Sequence, residues 1–520
     1  MKLQTPAPAA ARKRLGNLPK WLWICVGGVA LVYAVFVFPA LPPVGDAADY
    51  AALIRKGEFG VRTVHIGYYV LAYPFAQLAQ VVDLPLALCL NVLAALCMVA
   101  AVAIAFWIAK LLRLDDGAAA CVMLALAFSG IFWYHAEFCE LQALLMLMVF
   151  LSLALFLARR PVGSGIIFAA AMLTSQAAAP SALCFLYLAY RSRTWRSLAL
   201  FAASFTFAFG VGVAPIARDY FFGPRGAFPS TQYYPAGSAL KMVLYWAYRL
   251  AENFTVWLVA MAYGLVLAWR RARQVLAFAA VLWIGHAWVN LRLGHIEYGF
   301  AWMPAYLGAS MLAGIGAVGV ARRLWDNPKA RVGVLAVWVV LSAVLSGWLY
   351  VWPKRADAEA FRLVAHQVRQ RVGNATVIAA PHVGFVYVYE TQPEVANVWR
   401  GTWVNVPSTA HDWRQLASRH GLLYLLSFRG RPHVFRVWLF NNRLARRYLE
   451  PEARKRFTEE EDDIVQQARD SLPENMALVR VGAWRPHTEL WRVVAHNGQQ
   501  PVAVTSEPRA GPLPAEADQQ

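Results

Sequence analysis

The sequence predicts an all-α polytopic membrane protein of about eleven transmembrane helices, followed by a small C-terminal α/β domain. Three observations predict it. Apolar runs of about 20 residues, the length that crosses a bilayer, recur from residue 21 to residue 352. Charged residues make up only 15% of the 520-residue chain, where a soluble domain averages roughly a quarter. Basic residues cluster between the apolar runs, at Lys110/Arg113, Arg159/Arg160, Arg191/Arg193/Arg196, Arg270/Arg271/Arg273 and Arg322/Arg323/Lys329/Arg331. Cytoplasmic loops carry such an excess, so these clusters account for the net charge of +19 and set nucleic acid aside as a partner. A membrane β-barrel would show short alternating segments instead.

Each element follows from that alternation. Residues 1–20 hold Lys2, Arg12, Lys13, Arg14 and Lys20 and read as a cytoplasmic tail. The run Trp21–Leu41 is too long for a signal-peptide core and has no small-residue cleavage site close behind it. It reads as a retained first span running outward. Residues 41–83 then lie outside. Further spans are expected near 84–112, 117–134, 139–158, 162–174, 181–190, 197–216, 254–269, 276–291, 299–321 and 332–352. "TSQAAAPS" at 174–181 is an outer apex, broken by Pro180. Residues 217–253 form a second external loop. The segment 64–82 reads as an amphipathic helix at the outer surface, because a span there would reverse the Lys110/Arg113 cluster.

Residues 353–496 differ. "DAEAFRLVAHQVRQRV" has helical periodicity, whereas "ATVIAAP", "GLLYLLSF", "ALVRVGAW" and "ELWRVVA" read as buried strands. Acids and bases nearly balance there, and a periplasmic α/β domain is expected. The Gln/Pro/Ala-rich tail 497–520 reads as disordered. The six cysteines lie in or beside apolar runs with no CxxC spacing, which argues against disulfides and structural zinc.

Polar groups collect at the expected outer face: Asp46, Asp49 and His65 in the first loop, with Tyr68 just beyond. His135, Glu137 and Glu140 follow the third span, and Gln176 sits at the apex. Arg218, Arg225 and Lys241 lie in the second loop, and Arg292, His295 and Glu297 in the third. Plainer roles exist for several. Asp46 can cap a helix over 47–56, with Asp49 favoured near its N-terminus. Glu137 and Glu140 can be solvated interface residues. Acids near membrane depth carry an energetic cost, which weighs toward function.

The order of segments resembles the GT-C superfamily of membrane glycosyltransferases, nearest its protein O-mannosyltransferase-like and lipid A aminoarabinose transferase-like branches. The resemblance rests on "GDAADYAAL" after the first span, then "HIGYYVLAYPFAQL" and "LPLALCLNVLAAL". "HAEFCELQALLMLMVFLSLALFLARR", "GIIFAAAMLTSQAAAPSALCFLYLAYRSR" and "GHIEYGFAWMPAYLGASMLAG" continue it over residues 20–350. It implies an inverting enzyme using a polyprenyl-phosphate sugar donor at the periplasmic face of a bacterial inner membrane. The acceptor would be a glycan, a lipid or a protein. Asp46 would be the general base or acceptor-orienting carboxylate, with Asp49 and Glu137 as further catalytic candidates. His65, Tyr68, Gln176, His295 and Glu297 would bind substrate.

The sequence departs from that pattern in places. Ala47 stands where many relatives carry a second acid, Ser175-Gln176 replace an apex Lys or Arg, and Glu297 replaces an Arg. Arg218, Arg225, Lys241 and Arg292 are the candidates to hold the donor phosphate instead. The chemistry needs a carboxylate to take a hydroxyl proton and cations to stabilise a departing phosphate. No metal is required and no spacing argues for one, although the acids and histidines leave a divalent cation open. Two other readings stay open. One is a lipid or sugar transporter, which would place binding groups at mid-depth in related halves. The other is an inactive relative serving as an assembly factor.

Overall fold

The structure is a computed structural model, and it describes residues 20–42, 46–57, 65–222, 247, 250–293, 302–392, 394, 403–428, 464–484 and 488–495. It is mostly helical. The first two-thirds contain α1 (Lys20–Phe36), α2 (Ala47–Lys56), α3 (Ile66–Val81), α4 (Leu86–Leu111), α5 (Asp116–Ala127), α6 (Gly130–Ala136), α7 (Leu141–Leu157) and α8 (Pro161–Thr174). A 3-10 turn (Gln176–Ser181) leads into α9 (Ala182–Ser192), α10 (Trp195–Val213) and α11 (Ala217–Phe222). Then come α12 (Trp257–Arg271), α13 (Arg273–Leu293), α14 (Met303–Leu324) and α15 (Pro328–Ser346).

Among the described residues, the segments expected to span the membrane are helical over most of their length. By length and apolarity alone, four helices among the described residues can cross a bilayer: Leu86–Leu111, Trp195–Ile216, Met303–Leu324 and Pro328–Val372. The bent pair α5 and α6 makes a fifth, while α1, α7, α8 and Arg273–Ala287 are apolar but shorter. Large apolar side chains such as Phe207, Val259 and Val344 are exposed on the outside of the bundle. An aqueous surface would not carry so much apolar area, whereas a bilayer favours it. The chain is therefore a multi-pass membrane protein. The helix α3 is 16 residues long, about 24 Å, which is short of a hydrocarbon core of about 30 Å.

The single span expected over 117–134 is broken. The chain bends by 64° between α5 and α6, at Ser129-Gly130. A break frees backbone groups that lipid cannot satisfy, so neighbouring helices must. Here the freed Phe128 carbonyl accepts from the Ser342 and Ser346 hydroxyls at 3.2 and 2.6 Å. The freed Ile131 N–H donates to Asn253 Oδ1 at 2.8 Å.

Helix α14 crosses α12 with backbones in near contact. A Cβ on Gly316 would fall on the Ala260 carbonyl, and one on Gly264 on the Leu312 carbonyl. Small residues permit this close approach, which drives helix association where the hydrophobic effect cannot. Gly316→Leu is expected to separate the pair and cost about 3 kcal/mol, within the upper range for overpacking. A lowered thermal midpoint of the detergent-solubilised protein would report it, and an unchanged midpoint would refute it.

The α15 helix does not stop at the expected boundary of 352. It passes through a π-helical turn (Gly347–Val351) into α16 (Trp352–Val372), an unbroken run of 45 residues or about 67 Å. Pro353 is tolerated because it sits in the first turn after that irregularity. The chain beyond builds β1 (Thr376–Ala379), α17 (Pro381–Thr391), β2 (Trp403–Val404), α18 (Ala410–His420), β3 (Leu423–Phe428), α19 (Ile464–Ser471), β4 (Met476–Trp484) and β5 (Thr488–Ala495). The sheet order is β2-β1-β3-β5-β4. β1 is parallel to β2 and β3, and β5 is antiparallel to β3 and β4. Alternate side chains feed two cores, as the pleat requires. Val377, Ala379, Leu426 and Phe428 join the core shared with α16 and α17. Ile378, Leu423 and Leu425 pack with Trp413 of α18 and Ile464 of α19. The four strands read from the sequence are present; β2, two residues long, is additional.

Candidate active site

The basic clusters gather at one end of the bundle. Arg322 pairs with Asp115 at 3.0 Å, and Lys110 pairs with Asp116. The Tyr187 hydroxyl donates to the Gln274 carbonyl at 3.5 Å, which joins the 191–196 and 270–273 clusters. Asp46, Asp49, His65, Tyr68, Glu137 and Gln176 lie at the other ends of these helices.

Asp46 directly precedes α2, as the capping reading requires, but its side chain makes no capping hydrogen bond. It is partly buried, whereas Asp49, in the first turn, is fully buried. The helix they begin is buried from Ala47 to Ile54. Tyr50 sets its ring edge-on to His65 at 5.8 Å and to Tyr68 at 5.5 Å, which ties α2 to the start of α3. His65 Nδ1–H donates to the Thr174 carbonyl at 3.0 Å, leaving Nε2 as the acceptor nitrogen. A Cβ on Gly67 would lie 2.9 Å from the backbone at Leu173 and Thr174, so only glycine lets α3 dock on the apex that carries Gln176. The Tyr68 hydroxyl meets Cys139 Sγ at 3.0 Å. Asn91 then bridges two backbones: its Nδ2 donates to the Phe38 carbonyl at 2.7 Å, and its Oδ1 accepts from Cys139 N–H at 2.6 Å.

These contacts bring Asp46, Asp49, His65, Tyr68 and Gln176 into one cluster with the 137–140 turn. Two residues of that turn serve the turn itself. Glu140 Oε2 lies 3.2 Å from His135 Nδ1, both nearly sealed. Glu137, expected among the catalytic carboxylates, is wholly inaccessible. Its Oε1 accepts from the Trp133 indole N–H at 2.6 Å, and its backbone carbonyl accepts from Phe38 N–H at 3.0 Å. Its Oε2 has no hydrogen-bond partner among the described residues. Burial pushes the carboxyl up to about 9, against the opposing pulls of the Trp133 hydrogen bond and the Arg355 charge. Burial thus favours its neutral form, and the carboxyl is closed off from solvent.

Of the four expected phosphate-binding cations, Arg218 has a described side chain; it is exposed on the short helix α11. Arg292 falls on the last turn of α13 with its side chain outside the described residues, and Arg225, Lys241, His295 and Glu297 lie outside them altogether. Among the described residues no group of three or more His, Cys, Asp or Glu side chains could hold a metal ion.

Sequence reasoning missed four contributors. A lone asparagine in the apolar run "LCLNVLAAL" was a signal for Asn91, since polar groups in spans have partners. Tyr50 and Cys139 read as core and gave none. The fourth is the C-terminal region. The Arg55 guanidinium of α2 lies 4.5 Å from the Tyr389 ring centre on α17, beside Glu390, whose carboxyl burial raises while Arg362 and Arg55 pull it down. Glu390 Oε2 is 3.7 Å from Arg362. α17 thus clamps the helix that carries the carboxylates. Arg55→Ala is expected to cost about 1–2 kcal/mol, the range for a desolvated cation–π contact, and Arg55→Lys less. Unfolding of both variants in detergent measures this; equal loss in both would count against the ring contact.

Residues 66–291 match the model of glycosyltransferase family 87. Among the curated proteins nothing matches. Among solved structures, the chain is similar to ArnT from Cupriavidus metallidurans bound to undecaprenyl phosphate, with a TM-score of 0.56 and 14% identity over 91% of this chain and 98% of that one. It is similar to the arabinofuranosyltransferase AftD from Mycobacteria, with a TM-score of 0.51 and 16% identity over 92% of this chain and 40% of that one. It is also similar to the oligosaccharyltransferase of Archaeoglobus fulgidus, with a TM-score of 0.54 and 11% identity over 78% of this chain and 69% of that one. At these identities the solved structures share a fold with this chain. The chain thus shares its fold with these membrane glycosyltransferase structures, and its residues 66–291 are similar to glycosyltransferase family 87.

Proposed function

We propose that the protein transfers a sugar, with inversion, from a polyprenyl-phosphate-linked donor to a hydroxyl acceptor at the periplasmic face of a bacterial inner membrane. The N-terminus is then cytoplasmic and the chain crosses about eleven times, as the basic clusters require. The observation that carries the reading is the carboxylate pair Asp46 and Asp49 at the start of α2, the helix whose Tyr50 packs against His65 and Tyr68. The undecaprenyl phosphate bound to the ArnT structure supports the donor class.

The donor chain lies in the bilayer with its phosphate at the mouth. Asp46 takes the proton of the acceptor hydroxyl as its oxygen attacks the anomeric carbon from the face opposite the phosphate. The bond from that carbon to the phosphate oxygen breaks, and the lipid phosphate leaves with the electron pair. Arg218, Arg225, Lys241 and Arg292 are the cations assigned to that developing charge. His65 Nε2, Tyr68 and Gln176 orient the sugar, together with His295 and Glu297. The C-terminal sheet and its helices stand beside α2 and contribute to acceptor selection.

The test is turnover by the purified protein in nanodiscs, supplied in turn with undecaprenyl-phosphate-linked hexoses and pentoses. Release of undecaprenyl phosphate that needs Asp46 and gives the inverted glycoside is the expected result. Donor hydrolysis or transfer that is indifferent to Asp46, or retention of anomeric configuration, would overturn the scheme.

A further inference from the structure

The other end of the bundle is rich in arginine. Between Leu141 and Arg218 the sequence holds Arg159, Arg160, Arg191, Arg193, Arg196 and Arg218 but no aspartate or glutamate. At the turn from α9 to α10 a cavity of about 460 Å³ opens, lined by Tyr187, Tyr190, Arg191, Arg193 and Trp195. Arg193 closes α9 with φ at 52°, the left-handed conformation that usually falls to glycine. A side chain with a Cβ is strained there, yet an arginine occupies the position. Two cations of this end, Lys110 and Arg322, are matched with acids, Asp116 and Asp115. Arg191 and Arg193 meet no carboxylate among the described residues.

The walls say what kind of anion fits. Tyr190 and Trp195 stand edge-to-face with ring centres 6.5 Å apart, and both are well exposed. Amphipathic rings of this sort sit at headgroup level. On the bundle surface Leu183, Leu186 and Tyr190 fall on one face of α9, all exposed. That apolar track ends at the two guanidiniums. A free inorganic anion has no use for the track, whereas a phospholipid uses both. Guanidinium groups suit phosphate oxygens, which they can engage through paired hydrogen bonds.

We propose that this cavity binds the phosphate headgroup of an anionic phospholipid from the leaflet opposite the carboxylate site. Arg191 and Arg193 hold the phosphate, Tyr190 and Trp195 flank the glycerol, and an acyl chain follows Leu186 and Leu183. The site is separate from sugar transfer, so it stands whether or not the transfer scheme does.

The test uses the full chain in phosphatidylcholine nanodiscs titrated with phosphatidylglycerol, with bound lipid counted by native mass spectrometry. One phosphatidylglycerol bound more tightly than the rest is expected. Arg191→Gln combined with Arg193→Gln is expected to weaken it about thirtyfold, since each basic group near an anionic headgroup contributes about a factor of five. Trp195→Ala keeps the charge and is expected to weaken it severalfold. Both changes are at exposed positions, and an unchanged thermal midpoint verifies folding. Wild-type affinity in the double arginine variant would overturn the proposal. So would displacement of the lipid by inorganic phosphate at matching concentration, which would make the site one for a free anion.

Discussion

Asp46→Asn is expected to lower the rate of sugar transfer by about 10²–10⁴, the usual contribution of a positioned general base, while leaving the fold intact. The two roles open to Asp46 separate cleanly in this variant. If it only starts α2, asparagine serves as well, because the two are equally good N-cap residues. The absence of a side-chain capping bond already argues that its carboxylate is directed elsewhere. If it takes the acceptor proton, the amide cannot replace it. Asp49 differs by its burial: it is sealed one turn into the helix, whereas Asp46 keeps some exposure. Asp49→Asn is accordingly expected to lose less, about tenfold or 1.4 kcal/mol of barrier. Initial rates of undecaprenyl phosphate release, read beside circular dichroism of each variant, measure both. A wild-type rate in Asp46→Asn would reduce it to a helix-boundary residue, and a larger loss in Asp49→Asn would exchange their roles.

The helices of the bundle were legible because two signals agreed. Apolar length marked each segment, and basic clusters marked one end of each pair. The α2 helix over 47–56 was legible from its acidic start, and four strands from short runs rich in β-branched and aromatic residues. The break at Ser129-Gly130 was not, because hydropathy does not register a break inside an apolar run. What stabilises that bend comes from Asn253, Ser342 and Ser346, more than a hundred residues away. The continuation of the helix past residue 352 was not legible either, because the π-helical turn Gly347–Val351 places Pro353 in the first turn of the next helix, where proline is tolerated. In the site, Asp46, Asp49, His65, Tyr68 and Gln176 stood out as polar residues between apolar runs. Their mutual packing through Tyr50, Gly67 and Cys139 depends on contacts between separate helices, which periodicity within one helix does not encode. Glu137 shared the polar signal but not the location, since only the fold reveals that Trp133 and its aromatic neighbours seal it.

Glu137→Gln is expected to stabilise the protein by about 3 kcal/mol at pH 7 and to flatten its stability against pH, while preserving transfer. Burial raises the carboxyl from its ordinary 4.5 to about 9, while the Trp133 hydrogen bond and Arg355 oppose the shift. Tyr33 of α1 faces the same carboxyl. Between pH 4.5 and 9 the folded state holds a proton that the unfolded chain has released. The contribution of this group is therefore fully present below pH 4.5 and is lost as pH rises toward 9. Glutamine keeps an oxygen for the Trp133 N–H but cannot ionise, so the pH-dependent loss disappears. Glu137→Ala is the contrasting variant: it strands that N–H in a sealed space and is expected to destabilise by about 1–3 kcal/mol. Thermal midpoints from pH 5.5 to 9 in detergent distinguish the three proteins. Parallel slopes for wild type and Glu137→Gln would show that the carboxyl is ionised in its pocket. A collapse of transfer in a stable Glu137→Gln would return Glu137 to the catalytic carboxylates and require its sealed pocket to open during turnover.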